Sequence, residues 1–125
     1  MKYTHLKIFK LSLEFATYNE ESVKHFDRYY KYTLGVDLRK LSKEILFSIH
    51  RINGAKESID RKAQLEILLD ICNQYSTLLL LSKETKALSS FKQFKELSHF
   101  IYNINNQALG WYNYTCASIN KSSSC

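Results

Sequence analysis

The segment from Phe91 to Trp111 limits most strongly what this chain can fold into. Its apolar residues follow one another in steps of three or four, which places them all on one side of an α-helix. These residues are Phe94, Leu97, Ile101, Ile104, Ala108 and Trp111. Ser90 stands three residues before Gln93, the spacing of a capping box, so the sequence marks where the helix begins. We predict a helix over residues 90–112.

The same helix has an unusual distribution of charge. Lys92, Lys95 and Glu96 lie in its first two turns, whereas the stretch from Leu97 to Asn120 has His99 as its one titratable base and no Asp, Glu, Lys or Arg. A helix that buries one stripe and also keeps charge off its other sides is expected to be covered on more than one side. We therefore predict that its second half contacts a partner subunit. The residues assigned to that interface are Ile104, Asn106, Leu109, Trp111 and Tyr112.

Three further segments show helical spacing of their apolar residues, at about residues 4–25, 33–53 and 60–82. Thr33 is a candidate N-cap of the second segment, and Ser58 or Asp60 of the third. The chain has no proline, and Gly54 suits the end of the second helix. Helices of similar length joined by short loops predict an all-α fold, an up-down antiparallel four-helix bundle of residues 1–114, followed by a flexible tail at 115–125.

The reactive side chains form no recognisable catalytic or metal-binding motif. The four histidines are scattered, and no two have the i, i+4 spacing of a helical metal pair. Cys72, Cys116 and Cys125 are odd in number and lack short paired spacings, which argues against a disulfide scaffold and a structural zinc site. Cys72 falls on the inner stripe of its helix and is interpreted as a core residue. We expect neither enzymatic activity nor a metal or cofactor.

The N-terminal segment and the apolar runs bear on localisation. The first 15 residues are interrupted by Lys7, Lys10 and Glu14, so they lack the apolar centre of a signal peptide. The longest uninterrupted apolar run, Leu78 to Leu81, is far shorter than a membrane span. We expect a soluble, cytoplasmic protein.

The chain is basic, with 18 Lys and Arg against 12 Asp and Glu and a net charge of +6. Most informative are the cations near the starts of the second and fourth helices, which share one end of an up-down bundle. They are Arg28, Lys31, Arg39, Lys40, Lys43, Lys92 and Lys95. Joined into one surface, they would attract the phosphates of a nucleic acid. The alternative is that the charge only keeps a small protein soluble.

Three tyrosines, Tyr29, Tyr30 and Tyr32, alternate with these cations in the first connector. Aromatic rings beside basic groups can stack on the bases of a nucleic acid. The same rings can instead pack inward and close the end of the bundle. Both interpretations are open from the sequence.

The order of several short motifs resembles one protein family. The motifs are the run from Arg28 to Gly35 (RYYKYTLG) with Leu38-Arg39 after it, Ile52-Asn53, the segment from Leu88 to Phe94 (LSSFKQF), and the closing Leu109-Gly110-Trp111. Taken together over residues 6–112, they resemble the accessory variability determinant proteins of diversity-generating retroelements. That family belongs to a wider four-helix-bundle group that includes the ribosomal RNA intervening-sequence proteins.

The resemblance implies a basic, ring-like homopentamer of four-helix bundles. Such proteins bind nucleic acid and a cognate reverse transcriptase, and support mutagenic cDNA synthesis from a template RNA without being enzymes. Arg28, Lys31, Arg39 and Lys40 would then contribute to the nucleic-acid surface, with RNA or DNA as the ligand. Two alternatives remain: an oligomeric scaffold that binds only protein, and a ribosomal intervening-sequence type of protein without a reverse-transcriptase partner.

Overall fold

The computed structural model describes the backbone of residues 2–123 and the side chains of residues 7–121. Within that part of the chain every regular element is a helix. The helices are α1 (Lys2–Lys24), α2 (Arg28–Lys31), α3 (Leu34–Gly54), α4 (Ser58–Glu84) and α5 (Phe91–Ser123). The predicted all-α class is confirmed, and a one-turn helix, α2, is added in the first connector.

The four long helices form a bundle around one core. α1 and α4 each pack against both α3 and α5, so every long helix has two neighbours and one helix diagonally opposite. At the centre, the rings of Phe15 on α1 and Tyr75 on α4 meet edge to face, 4.9 Å between centroids. Each fully buried Leu or Ile contributes about 1.5–3 kcal/mol relative to an exposed one. The predicted stripes supply this core: Leu38, Ile45, Ile49 and Ile52 of α3, Leu65, Leu68, Cys72, Tyr75 and Leu79 of α4, and Leu97, Ile101, Ile104, Ala108 and Trp111 of α5.

Two side-chain pairs show that α4 and α5 run in opposite directions. Lys83 of α4 lies over the ring of Phe94 near the start of α5, with 4.8 Å between the ammonium nitrogen and the ring centroid. The hydroxyl of Tyr112, far along α5, donates a 2.8 Å hydrogen bond to Glu66 in the first half of α4. These two pairs make α4 and α5 antiparallel neighbours.

α1 and α3 approach closely because Gly35 has no side chain. A Cβ atom at Gly35 would stand 2.9 Å from Cγ1 of Val23, which is buried on α1. Four residues along α3 from that contact, Arg39 pairs with Glu20 of α1. The glycine therefore sets how near the two helices can come at this end of the bundle.

α5 is longer than the sequence predicted. Its predicted end near residue 112 and the predicted tail from residue 115 are corrected, because the helix continues to Ser123. Thr115 is buried, and its hydroxyl donates a 2.8 Å hydrogen bond to the Trp111 carbonyl. In the antiparallel register of α4 and α5, the added turns lie alongside the first turns of α4. The last two residues of the predicted tail, 124–125, lie outside the described residues.

Two connectors meet at one end of the bundle. The Asp27 backbone N–H, between α1 and α2, donates a 3.2 Å hydrogen bond to the Ala87 carbonyl, between α4 and α5. Lys86 adopts φ 65°, in the left-handed region, so the chain reverses there. The first half of the predicted capping box at α5 is confirmed, since the Gln93 N–H donates to Ser90 Oγ at 3.1 Å.

The other predicted caps are wrong. Thr33 makes no side-chain cap at α3, and its hydroxyl instead donates to the Tyr30 carbonyl at 3.2 Å. α4 begins earlier than predicted, at Ser58, after an N-cap residue, Glu57, that also makes no side-chain cap bond.

None of the helices within residues 2–123 has both the length and the apolar character that crossing a bilayer requires.

Candidate nucleic-acid interface

Three of the predicted cations form one group on the solvent side of α3. Arg39, Lys40 and Lys43 line a shallow depression of about 370 Å³, together with Val36, Phe47 and Glu44. We call Arg39, Lys40 and Lys43 the α3 basic patch. Val36, Lys40, Lys43 and Phe47 follow one another in steps of four and three residues, which aligns them along the outer side of the helix. The depression therefore combines positive charge with exposed apolar surface.

The members of the α3 basic patch differ in how far their charge is neutralised. Nε of Arg39 lies 3.1 Å from a carboxylate oxygen of Glu20, and its side chain is 28% exposed. Lys40 and Lys43 are exposed, and no carboxylate among the described residues lies within ion-pair distance of either ammonium group. A partly exposed ion pair stabilises by at most about 1 kcal/mol. The two lysines therefore carry the free positive charge, whereas the charge of Arg39 is offset by the nearby carboxylate of Glu20.

A larger groove, about 590 Å³, runs between α3 and α4 beside the patch. Lys40 borders it, but so do Asp37 and Glu44 of α3, while the α4 side is uncharged. Two carboxylates along the wall oppose the binding of phosphate. The outer depression on α3 is the better anion site, because it sets three cations against Glu44 alone, whereas the groove sets Lys40 against two carboxylates.

Arg28 and Lys31 lie in α2, at the end of the bundle where α3 begins. A carboxylate oxygen of Asp27 accepts a 3.0 Å hydrogen bond from the Tyr29 N–H and caps this short helix. Arg28 is exposed and Lys31 half-buried. Both remain available to an anion at this end.

Lys92 and Lys95 are exposed on the first turns of α5. α5 lies diagonally opposite α3, because each of the two packs against α1 and α4. The structure thus brings Arg39, Lys40 and Lys43 together and sets Lys92 and Lys95 on a different helix at the same end. The prediction of one continuous basic surface stays a prediction.

The tyrosines of the first connector divide between the two sequence-based interpretations. Tyr30 is half-buried against the core, as expected of a ring that closes the bundle end. Tyr29 and Tyr32 point away from the core and are largely exposed. The Tyr29 ring stands edge-on to the Tyr30 ring, with centroids 4.9 Å apart. Inward packing is therefore right for Tyr30 and wrong for the other two.

The five residues assigned to a subunit interface lie in three different environments. Ile104 and Trp111 are buried in the chain's own core, so they offer no surface to a partner. Tyr112 is half-buried, and its hydrogen bond to the Glu66 carboxylate raises the pKa of its phenol. Asn106 and Leu109 are exposed. The outer side of α5 is uncharged around them, with Tyr102, Asn106, Leu109, Gly110 and Asn113 all exposed.

No protein-family model matches the chain, and no curated protein matches it significantly in sequence.

Groups suited to metal binding or nucleophilic chemistry are not gathered in the described part of the chain. No three His, Cys, Asp or Glu side chains within it lie close enough to hold a metal ion. Cys72 is buried, and burial raises the pKa of its thiol to about 12. It therefore stays protonated at neutral pH, and its prediction as a core residue is confirmed. Cys125 lies outside the described residues.

Sequence reasoning missed the apolar partners of the α3 basic patch. Val36 and Phe47 are exposed beside the cations, and Glu20 holds Arg39 from a different helix. The helical spacing from Val36 to Phe47 was a usable signal, since it runs along the side opposite the buried stripe. Glu20 had no such signal, because pairing between helices depends on their register.

Proposed function

We propose that this protein is a non-enzymatic, nucleic-acid-binding accessory protein. The α3 basic patch is the observation that carries the proposal. It places three cations within two turns of one packed helix, and no carboxylate in the described part of the chain lies within ion-pair distance of its two lysines. Phosphates gain from such a cluster by Coulomb attraction and by release of their counterions. Because the three residues stand on one helix, their backbone is already ordered before a ligand binds.

In the full proposal the chain is an up-down antiparallel bundle that assembles into a ring-like homo-oligomer, a pentamer by resemblance. It associates in the cytoplasm with a retroelement reverse transcriptase and its template RNA and supports mutagenic cDNA synthesis. The helical bundle, the basic patch and the uncharged outer side of α5 support this proposal. The retroelement part is supported by the resemblance alone.

Salt-dependent RNA binding tests the proposal. We expect the logarithm of the affinity to fall steeply with the logarithm of salt concentration. The triple variant Arg39→Ala, Lys40→Ala, Lys43→Ala should lower the steepness of that line by about 1.5 to 2.5, since each of the two free lysines contributes about 0.7–0.9 and Arg39, paired with Glu20, adds at most as much. Binding is measured by fluorescence anisotropy with a labelled RNA at several salt concentrations.

The matched control removes the same charge from the other end of the bundle. Lys7→Ala, Lys10→Ala, Lys56→Ala changes three exposed lysines at the start of α1 and in the connector between α3 and α4. This control should keep most of the wild-type salt dependence. Equal losses in the two triple variants would show that only net charge matters, and would contradict a site on α3.

An oligomeric scaffold that binds only protein is the alternative, favoured by the uncharged, exposed outer side of α5. It predicts assembly without measurable RNA binding at low salt. The neighbouring genes distinguish a retroelement accessory protein from the remaining alternative. A reverse-transcriptase gene and an imperfect template/variable repeat pair beside the gene are expected, and their absence would favour a ribosomal intervening-sequence type of protein.

A further inference from the structure

Three large aromatic rings are exposed at the end of the bundle where the two connectors meet. Tyr29 is 79% exposed, Tyr32 72% and Phe91 67%. Tyr29 and Tyr32 belong to the first connector and Phe91 starts α5 just after the second. The hydrogen bond from the Asp27 N–H to the Ala87 carbonyl ties the two connectors together. The three rings therefore lie at the same end of the molecule.

Two of these rings are held by inner aromatic side chains. The Tyr29 ring rests edge-on against Tyr30, which packs on the core. The Phe91 ring lies 6.3 Å from that of Phe94, which also packs on the core, with 35° between the ring planes. An exposed ring fixed in this way loses little conformational freedom when a ligand covers it.

Cations stand close to the rings in the sequence and outnumber the neighbouring carboxylate of Asp27. Arg28 precedes Tyr29 and Lys31 precedes Tyr32, while Lys86 and Lys92 belong to the second connector and the start of α5. Among the described residues, no carboxylate lies within ion-pair distance of any of these four cations. A ligand that suits this end therefore combines flat apolar faces with negative charge.

Nucleic acid with unpaired bases has that combination. Its phosphates meet the cations, and its bases stack on aromatic faces with little regard to sequence. In a duplex the base faces are already stacked, so the rings gain nothing from them. We infer that Tyr29, Tyr32 and Phe91, with Arg28 and Lys31, form a stacking platform for single-stranded nucleic acid. This inference rests on the proposed nucleic-acid binding and adds strand selectivity to it, because the α3 basic patch attracts phosphate from either form.

The test compares a labelled, unstructured 12-nucleotide RNA with its duplex, by fluorescence anisotropy on the full chain. In the variant Tyr29→Ala, Tyr32→Ala we expect affinity for the single strand to fall by at least about thirtyfold, the loss that corresponds to two base–aromatic stacking contacts. Affinity for the duplex should change less than twofold. The salt dependence should stay as in the wild type, since no cation is removed.

Two controls isolate the rings. Tyr29→Phe, Tyr32→Phe keeps both aromatic faces and should keep single-strand affinity. Tyr114→Ala removes an exposed tyrosine far along α5 and should leave the affinity for both RNAs unchanged. Both alanine positions are exposed, so thermal unfolding of the double alanine variant should match the wild type.

Three outcomes would overturn the inference. Unchanged single-strand affinity in the alanine variant would show that the rings do not stack. An equal loss for single strand and duplex would point to a change other than stacking. A fall in the molar mass of the wild-type assembly on the alanine substitutions would show that a second copy covers the rings. By contrast, wild-type protein that binds neither RNA at low salt would remove the proposed function itself.

Discussion

Asn19 shows at the scale of one residue how the helices are held in register. It is buried on α1, and its amide nitrogen donates to the Leu38 carbonyl and to Ser42 Oγ of α3, both at 3.3 Å. Its amide oxygen accepts a hydrogen bond from the Tyr75 hydroxyl of α4 at 2.5 Å. A buried polar group without a partner costs about 1–3 kcal/mol. One side chain thus fixes three helices relative to one another.

Replacing Asn19 by Leu should lower the free energy of unfolding by about 1–3 kcal/mol, because the buried Tyr75 hydroxyl loses its acceptor, whereas Ser42 keeps its hydrogen bond to the Arg39 carbonyl. The substitution Tyr75→Phe should cost less, about 1–2 kcal/mol. The double variant should lose less stability than the two single variants together. With both partners removed, fewer buried polar groups are left without a hydrogen bond. Urea unfolding measures all three. Strict additivity would mean that the hydrogen bond does not couple the helices.

Cys72 makes stability depend on alkaline pH. Burial raises the pKa of its thiol from 9.0 to about 12, so the folded protein binds this proton more tightly than the unfolded chain does. Its contribution to stability is complete below pH 9 and is lost as the pH rises from 9 towards 12. We expect the free energy of unfolding to fall by about 1.4 kcal/mol per pH unit once the unfolded thiol ionises.

Urea unfolding between pH 8 and about pH 9.5 measures this dependence, while the tyrosines of the unfolded chain, with an ordinary pKa near 10, are still mostly protonated. The variant Cys72→Ala should be less stable overall but should lose less stability per pH unit. An identical slope in wild type and variant would assign the alkaline loss to another group.

At the scale of the elements, packing determines where helices end. The C-terminal turns of α5 contain Asn113, Thr115, Ser118 and Asn120, which are poor helix formers and lie beyond Trp111, the last residue of the predicted stripe. α4 is a 27-residue helix, and its first turns offer a surface along which α5 continues. The burial of Thr115 outweighs the weak helix propensity of these turns.

Lys86 marks the end of α4 with a strained backbone. Its φ of 65° costs an L-residue about 1 kcal/mol or more, whereas glycine adopts it freely. We expect Lys86→Gly to raise the free energy of unfolding by about 0.5–1 kcal/mol. Lys86→Ala is the matched control, since it removes the same charge but keeps Cβ, and it should bring no gain. Thermal or urea unfolding of both variants shows whether the gain comes from the relaxed backbone or from the removal of the charge.

At the scale of the whole molecule, charge is distributed unevenly. Cations collect on α3 and on the connectors at one end, whereas the outer side of α5 is uncharged from Leu97 to Asn120 apart from His99. If a neighbouring copy covers α5, a charge introduced there would lose its hydration without gaining a partner. The oligomer proposal therefore has a direct test on this surface.

Asn106→Arg should reduce the assembly to smaller species, as measured by light scattering after size exclusion. Asn53→Arg makes the same change at an exposed position at the end of α3 and should leave the assembled mass unaltered. An Asn106→Arg variant with the wild-type mass would show that this side of α5 is not an interface.

Helical periodicity was sufficient to predict the all-α class, the inner stripes and the burial of Cys72, and the capping box at Ser90 marked the start of α5 at Phe91. These follow from the sequence because the spacing of apolar residues states which side of a helix avoids water. Periodicity shows which side of a helix is buried, but it does not show which neighbouring helix covers that side. The pairing of Arg39 with Glu20, the diagonal placement of Lys92 and Lys95, the inward Tyr30 beside an outward Tyr29 and the added turns of α5 all depend on that neighbour. They became visible only once the four helices were packed, because each arises from contacts between residues far apart in the chain.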